Sequence, residues 1–139
     1  MDNLDRNCIL CFDEISLSQQ PVFNPSEDKV VGYVDLGKKL GRRNEFANHA
    51  LVFLAHGLKT AWKQPVSYYF VKDCTNAADL KCLITEVVSA LQAVACNVLA
   101  TCCDQGSTNR SAIKQLCAET TKKKYEPYFY ANRDKIITL

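Results

Sequence analysis

Between Asp79 and Ala95 the apolar residues Leu80, Leu83, Ile84, Val87, Val88, Leu91, Val94 and Ala95 recur at helical spacing. That period lays one apolar stripe along an α-helix, with Thr75 or Asn76 placed to cap its start. Almost at once the run Asn97-Val98-Leu99-Ala100-Thr101-Cys102-Cys103-Asp104 begins. It is short, apolar and without helical period, which fits a strand buried on both faces. A helix that leads straight into a buried strand implies a parallel crossover, and so an α/β sheet.

The rest of the chain supplies the other members of such a sheet. Cys8-Ile9-Leu10-Cys11-Phe12-Asp13 is a second buried-strand run. Residues 15 to 28, rich in Ser, Gln, Pro and Asn, read as loop. Lys29 to Leu36 reads as one strand that empties into a mobile, glycine-punctuated basic loop, Gly37 to Arg43. His49 to Gly57 and Pro65 to Val71 are β-rich and suggest an antiparallel pair, with Trp62 packing under the hairpin. After Asp104, Gln105 to Asn109 form a turn with cap residues. A second helix then runs from about Arg110 to Glu119, with Ala112, Ile113, Leu116 and Cys117 inward, and ends in the basic run Thr120 to Lys124. Lys135 to Leu139 reads as a strand cut off at its own end. Because domains rarely stop on an exposed apolar strand, we expect the chain to be a piece of something longer, or to have decayed from it.

With 139 residues, 47% of them hydrophobic, the chain holds one domain with a buried core. No apolar stretch approaches the roughly 20 residues that cross a bilayer. The amino terminus has no apolar signal-peptide core, so the eight cysteines are expected to be reduced thiols of an intracellular, non-secreted protein. A net charge of +2 lacks the strongly basic signature of a dedicated nucleic-acid binder, so any such contact must be local. Lys38, Lys39, Arg42 and Arg43, with Lys122 to Lys124, are the candidates for phosphate contact, and a solvated surface is the competing reading.

The two buried runs each end in an aspartate. Asp13 and Asp104 would then close two adjacent parallel strands on one edge of the sheet, where α/β folds place their sites. Alternation puts Asp13 on the face of Ile9 and Cys11, and Asp104 on the face of Val98, Ala100 and Cys102, as two buried rows. Paired carboxylates there suit a hard divalent cation, although Asp also ends strands and caps turns, and spacing alone leaves both readings open. Gly32 to Lys38 matches G-x-x-x-x-G-K but has Lys39 where Ser or Thr belongs, with strand formers inside. We read it as a strand and a glycine turn, with no nucleotide site. In a strand, Cys8 and Cys11, or Cys102 and Cys103, point to opposite faces, so the cysteines read as small buried hydrophobes without zinc. His49 and His56 also fall on opposite faces of one strand and read as structural.

Five blocks carry a resemblance: Cys11 to Ser16, Lys29 to Gly37, Asn48 to Phe53, Trp62 to Val66, and Cys103 to Asn109. In this order they are similar to the ribonuclease H-like catalytic domain of P element-type DNA transposases, along nearly the whole chain. The resemblance implies a mixed α/β sheet with flanking helices, here truncated before its last strands and helix. It implies a nuclear enzyme that cuts and joins DNA at transposon ends, with three acids binding two Mg²⁺ (or Mn²⁺) ions. Asp13 and Asp104 match the first two acids, as catalytic and metal-binding residues. Glu14 follows the first in the family pattern, but its side chain points to the other face and reads as secondary. The family's third acid lies further downstream than Leu139, and Glu119, Glu126 and Asp134 fall in no matching motif. The chain alone is therefore expected to lack strand transfer. The alternative is a non-enzymatic, transposon-derived remnant that binds DNA, or pairs with a full-length transposase or with itself through an exposed sheet edge.

Overall fold

The computed structural model describes residues 3–120 and 126–139; Lys122 to Lys124 and Tyr125 lie outside them. A short 3-10 turn precedes β1 (Asn7–Ser16), β2 (Val22–Asn24), β3 (Lys29–Val31) and β4 (Tyr33–Asp35). One helical turn, α1 (Gly37–Leu40), leads to β5 (Arg42–Phe46), β6 (His49–Gly57) and β7 (Lys63–Val71). Then come α2 (Ala77–Ala93), β8 (Asn97–Cys102), α3 (Ser107–Thr120), β9 (Tyr128–Ala131) and β10 (Asp134–Thr138). Eight strands form one mixed sheet in the order β5-β4-β7-β6-β1-β8-β10-β9, and β2 and β3 form a separate hairpin.

The expected crossover is present. Strand β1 lies between antiparallel β6 and parallel β8, and α2 carries the chain across from β7. Leu80, Leu83, Ile84, Val87 and Val88 of α2 share one core with Cys8, Leu10, Phe12, Phe53, Val98 and Ile136 of the sheet. Ala112, Ile113, Leu116 and Cys117 of α3 join the same core. Both long helices therefore cover one face of the sheet. The opposite face carries Ile9, Cys11 and Asp13 of β1, cross-strand from His56, Leu54 and Val52, and none of these is fully buried.

Several readings from the sequence change. Strand β1 does not end at Asp13; it continues to Ser16 because β6 pairs with it as far as His49. Lys29 to Leu36 is two strands in two sheets, broken at Gly32 (φ +110°), where a Cβ would sit 2.8 Å from the Gln20 carbonyl oxygen. The segment read as loop contains β2 and the end of β1, and the basic loop read as mobile is α1 followed by edge strand β5. The stretch resembling a phosphate loop is β4 and a glycine turn. Lys135 to Leu139 is no exposed edge: β10 pairs with β8 on one side and β9 on the other, so the sheet's edges are β5 and β9. Alternation also fails in β8. A bulge slips the register between Cys8↔Val98 and Ile9↔Ala100, so Val98 joins Cys8 on the helix side while Ala100 and Cys102 take the opposite face.

Local chemistry fixes the start of α2. Asn76 is the cap, accepting from Asp79 N at 2.8 Å. Glu14 Oε1 accepts from both the backbone N–H and the hydroxyl of Thr75, at 3.0 and 3.1 Å, tying the cap to β1. Asn48 holds the preceding turn through Asp73, which sits at φ +58°. Trp62 packs against the core and donates to the Asp5 carbonyl at 3.0 Å. Pro65 falls at the β6–β7 bulge, where a missing N–H is tolerated.

Two stability outcomes follow. Glu14→Ala leaves both Thr75 donors without their acceptor and should cost about 1–3 kcal/mol, read from the urea midpoint. Arg133 holds φ +79° in the two-residue turn of the β9–β10 hairpin, so Arg133→Gly should raise stability by about 1 kcal/mol in the same measurement.

Candidate metal-binding site

Asp13 and Asp104 come together. Strands β1 and β8 pair in parallel as far as Cys11↔Cys102, and two residues after each of these stands an aspartate, Asp13 within β1 and Asp104 just past the end of β8. Both line one cleft of about 340 Å³ with Glu14, His49, Cys74 and Asn109. The cleft opens past the carboxyl end of β8, where β1 runs on without its parallel partner.

Each carboxylate is held by local backbone. Asp13 Oδ1 accepts from Glu14 N at 2.8 Å. Asp104 Oδ1 accepts from Gly106 N at 3.0 Å and Asn109 Nδ2 at 2.5 Å, which fixes the turn into α3. Among the described residues, Oδ2 of neither aspartate is engaged in a hydrogen bond. Both capping and an available oxygen are thus present in the same side chains. The two carboxylates also act together on Cys103: burial, then Asp104, Cys102 and Asp13, push its thiol up to about 11.

The donor chemistry suits a hard divalent cation, which prefers carboxylate oxygens, but the set is short. Among the described residues no three His, Cys, Asp or Glu side chains gather as a metal site. Glu14 reaches the cleft but has its Oε1 committed to Thr75, in line with a secondary place. Glu119 lies at the far end of α3, ion-paired with Lys81, and Asp134 accepts from Gln92 at 2.9 Å.

His49 is the member that the sequence reading missed. It lines the cleft, with Nδ1 2.8 Å from Asn48 Oδ1 and Nε2 3.2 Å from Ser16 Oγ. The signal was present in the register, since His49 lies cross-strand from Ser16, three residues past Asp13. Cys8 and Cys11 do fall on opposite faces, and all eight cysteines are free thiols. Cys11 and Cys102, cross-strand neighbours, contact each other; burial and then Cys102 raise the Cys11 thiol.

The four basic candidates separate. Arg43 is ion-paired with Asp79, and Arg42 donates to the Val30 carbonyl at 2.7 Å while lying 4.8 Å over the Tyr33 ring. Lys38 and Lys39 are exposed on α1. No described helix is long and apolar enough to cross a membrane.

The chain is 27% identical over 105 residues to the human DNA transposase THAP9, an alignment spanning 74% of this chain and 12% of that protein. Its fold matches the Drosophila P element transposase strand transfer complex with a TM-score of 0.72 at 22% identity, over 100% of this chain and 27% of that one. The chain thus spans about an eighth of the curated relative and about a quarter of the structural one. A family model described as TNP-like, RNase H N-terminal domain matches residues 1–117, most of the chain, and the chain belongs to that family.

Proposed function

We propose that this chain is part of a DNA transposase catalytic domain, in which Asp13 and Asp104 are two of three acids that hold Mg²⁺ or Mn²⁺. The observation that carries this reading is the delivery of both carboxylates to one cleft from adjacent parallel strands. The resemblance of the Cys11 to Ser16 and Cys103 to Asn109 blocks to the family motifs supports it, as does family membership.

Asp13 and Asp104 would hold the ion through their Oδ2 atoms, Oδ1 being committed to the backbone and to Asn109. A bound divalent ion supplies Lewis-acid polarisation of a phosphodiester and a more acidic water. The chain's own contribution is rigidity. The β-ladder fixes Asp13, and the Asp104 turn is pinned at its entrance to α3, so the carboxylates need little reorganisation. In-line displacement needs both oxygens positioned, and two acids from this chain do not complete such a site. We therefore read the chain alone as inactive in strand transfer, acting on DNA at transposon ends in the nucleus only as part of a larger protein. Lys38 and Lys39 are its most available phosphate contacts.

Isothermal titration with Mn²⁺ tests the site. Wild-type protein should bind weakly, and Asp13→Asn and Asp104→Asn should each weaken binding by about tenfold or more, at least the cost of losing an outer partner of a metal ligand. Binding unchanged in both variants would reduce the enzymatic reading to ancestry. The non-enzymatic remnant, binding DNA or a second transposase, would then stand.

A further inference from the structure

A second cleft lies apart from the acidic one. About 380 Å³ lies between the β2–β3 hairpin and the helix-free face of β4 and β7, lined by Tyr33, Tyr68 and Phe70 together with Arg42, Asp35 and Glu27. Register puts these side chains on one surface. Asp35 lies opposite Phe70 and Arg42, and Tyr33 opposite Phe46. Tyr68 and Phe70 meet edge to face at 5.5 Å, Tyr33 stacks tilted on Phe46 at 4.9 Å, and the Arg42 guanidinium covers Tyr33. Tyr68 is 66% exposed, the most open aromatic side chain described. A ring left that open on a pleated surface has a face to offer.

The charged residues that line the cleft come as two opposite pairs. Glu27 pairs with Lys29 at 2.6 Å, and Asp35 faces Arg42 across the β4–β5 pair. Lys38 and Lys39 follow directly on Gly37, a lining residue, and remain exposed. An aromatic floor with two exposed lysines next in sequence to a lining residue matches a flat, π-bearing ligand that carries negative charge beside it. Nucleotides have that form.

We propose that this cleft takes one unpaired nucleobase of a single-stranded nucleic acid, stacked on Tyr68, with Lys38 and Lys39 against the flanking phosphates. This rests on the reading above that the ligand is nucleic acid, and it names which part of it enters. A base inside a duplex has both faces covered by its neighbours, so an aromatic side chain reaches only an unpaired one. Register also ties the cleft to the acid pair: Tyr68 lies cross-strand from Val52, and Val52 from Asp13, on the same face. Two strand spacings, about 10 Å, separate the backbones of Tyr68 and Asp13. A strand leaving the cleft along that face runs toward Asp13.

The test is fluorescence anisotropy of a labelled oligonucleotide of about 20 nucleotides, as a single strand and as a duplex, with the full chain at about 0.1 M salt in EDTA. The single strand should bind more tightly than the duplex. Tyr68→Ala should weaken the single strand about tenfold and leave the duplex unchanged, whereas Tyr68→Phe should stay within about twofold of wild type. Equal binding of the single strand by wild type and Tyr68→Ala overturns the proposal, as does an equal loss for both oligonucleotides. Because Tyr68 is exposed, its truncation should leave the thermal midpoint in place; a shifted midpoint moves the comparison to Tyr68→Leu, which keeps the apolar bulk, with the same outcomes. EDTA takes the metal out of the readout. Failure here with Mn²⁺ binding intact therefore overturns the cleft alone, and loss of Mn²⁺ binding leaves this result standing.

Discussion

One extra residue in β8 sets the geometry on which the site depends. Strands β1 and β8 start in register with Cys8 opposite Val98, and after the bulge Ile9 stands opposite Ala100. Because side chains alternate with a period of two, a one-residue slip moves every later side chain to the other face. With the slip, Cys102 meets Cys11, and the same offset carried past the end of β8 sets Asp104 level with Asp13. Without it, Asp104 would fall opposite Glu14, whose carboxylate turns toward α2 and binds Thr75. Bulges bend strands and re-aim side chains, and this one brings two acids to a common cleft.

The one-sided placement of α2 and α3 is the second consequence. Burying Cys8, Leu10 and Phe12 beneath α2 forces Ile9, Cys11 and Asp13 onto the open face. Asp13 can remain a charged, exposed carboxylate because nothing described covers it, and Glu14, next in sequence, can serve as a structural acceptor because it faces the helix. Two adjacent acids thus acquire different tasks from strand alternation alone. The same alternation gathers Tyr33, Phe46, Tyr68 and Phe70 on the open face, where rings in a covered sheet would be buried.

The sequence carried the crossover, the α2 stripe and the antiparallel β6–β7 pair, since each rests on a local period of several residues. It also carried both aspartates, although as strand ends, whereas Asp13 lies within β1. What it hid depends on non-local pairing. The β8 bulge has no glycine to mark it, so Val98 was assigned to the wrong face. Gly32 was visible, but its positive φ, which splits Lys29 to Leu36 between two sheets, is decided by the close approach of Gln20. The β9–β10 hairpin was missed because its turn is Asn132-Arg133, both at positive φ, where Asn-Gly would have announced it. His49 looked structural because its place beside the acids comes from pairing with Ser16, far away in sequence.

In the proposed function, the β1–β8 register makes Asp13 and Asp104 one cation site. Paramagnetic broadening tests it most directly, by titrating Mn²⁺ into ¹⁵N-labelled protein and following every amide. Amides around residues 12–14 and 103–106 should broaden first and at the same Mn²⁺ concentration. Broadening confined to one of these segments, or spread over acidic side chains elsewhere, would contradict it.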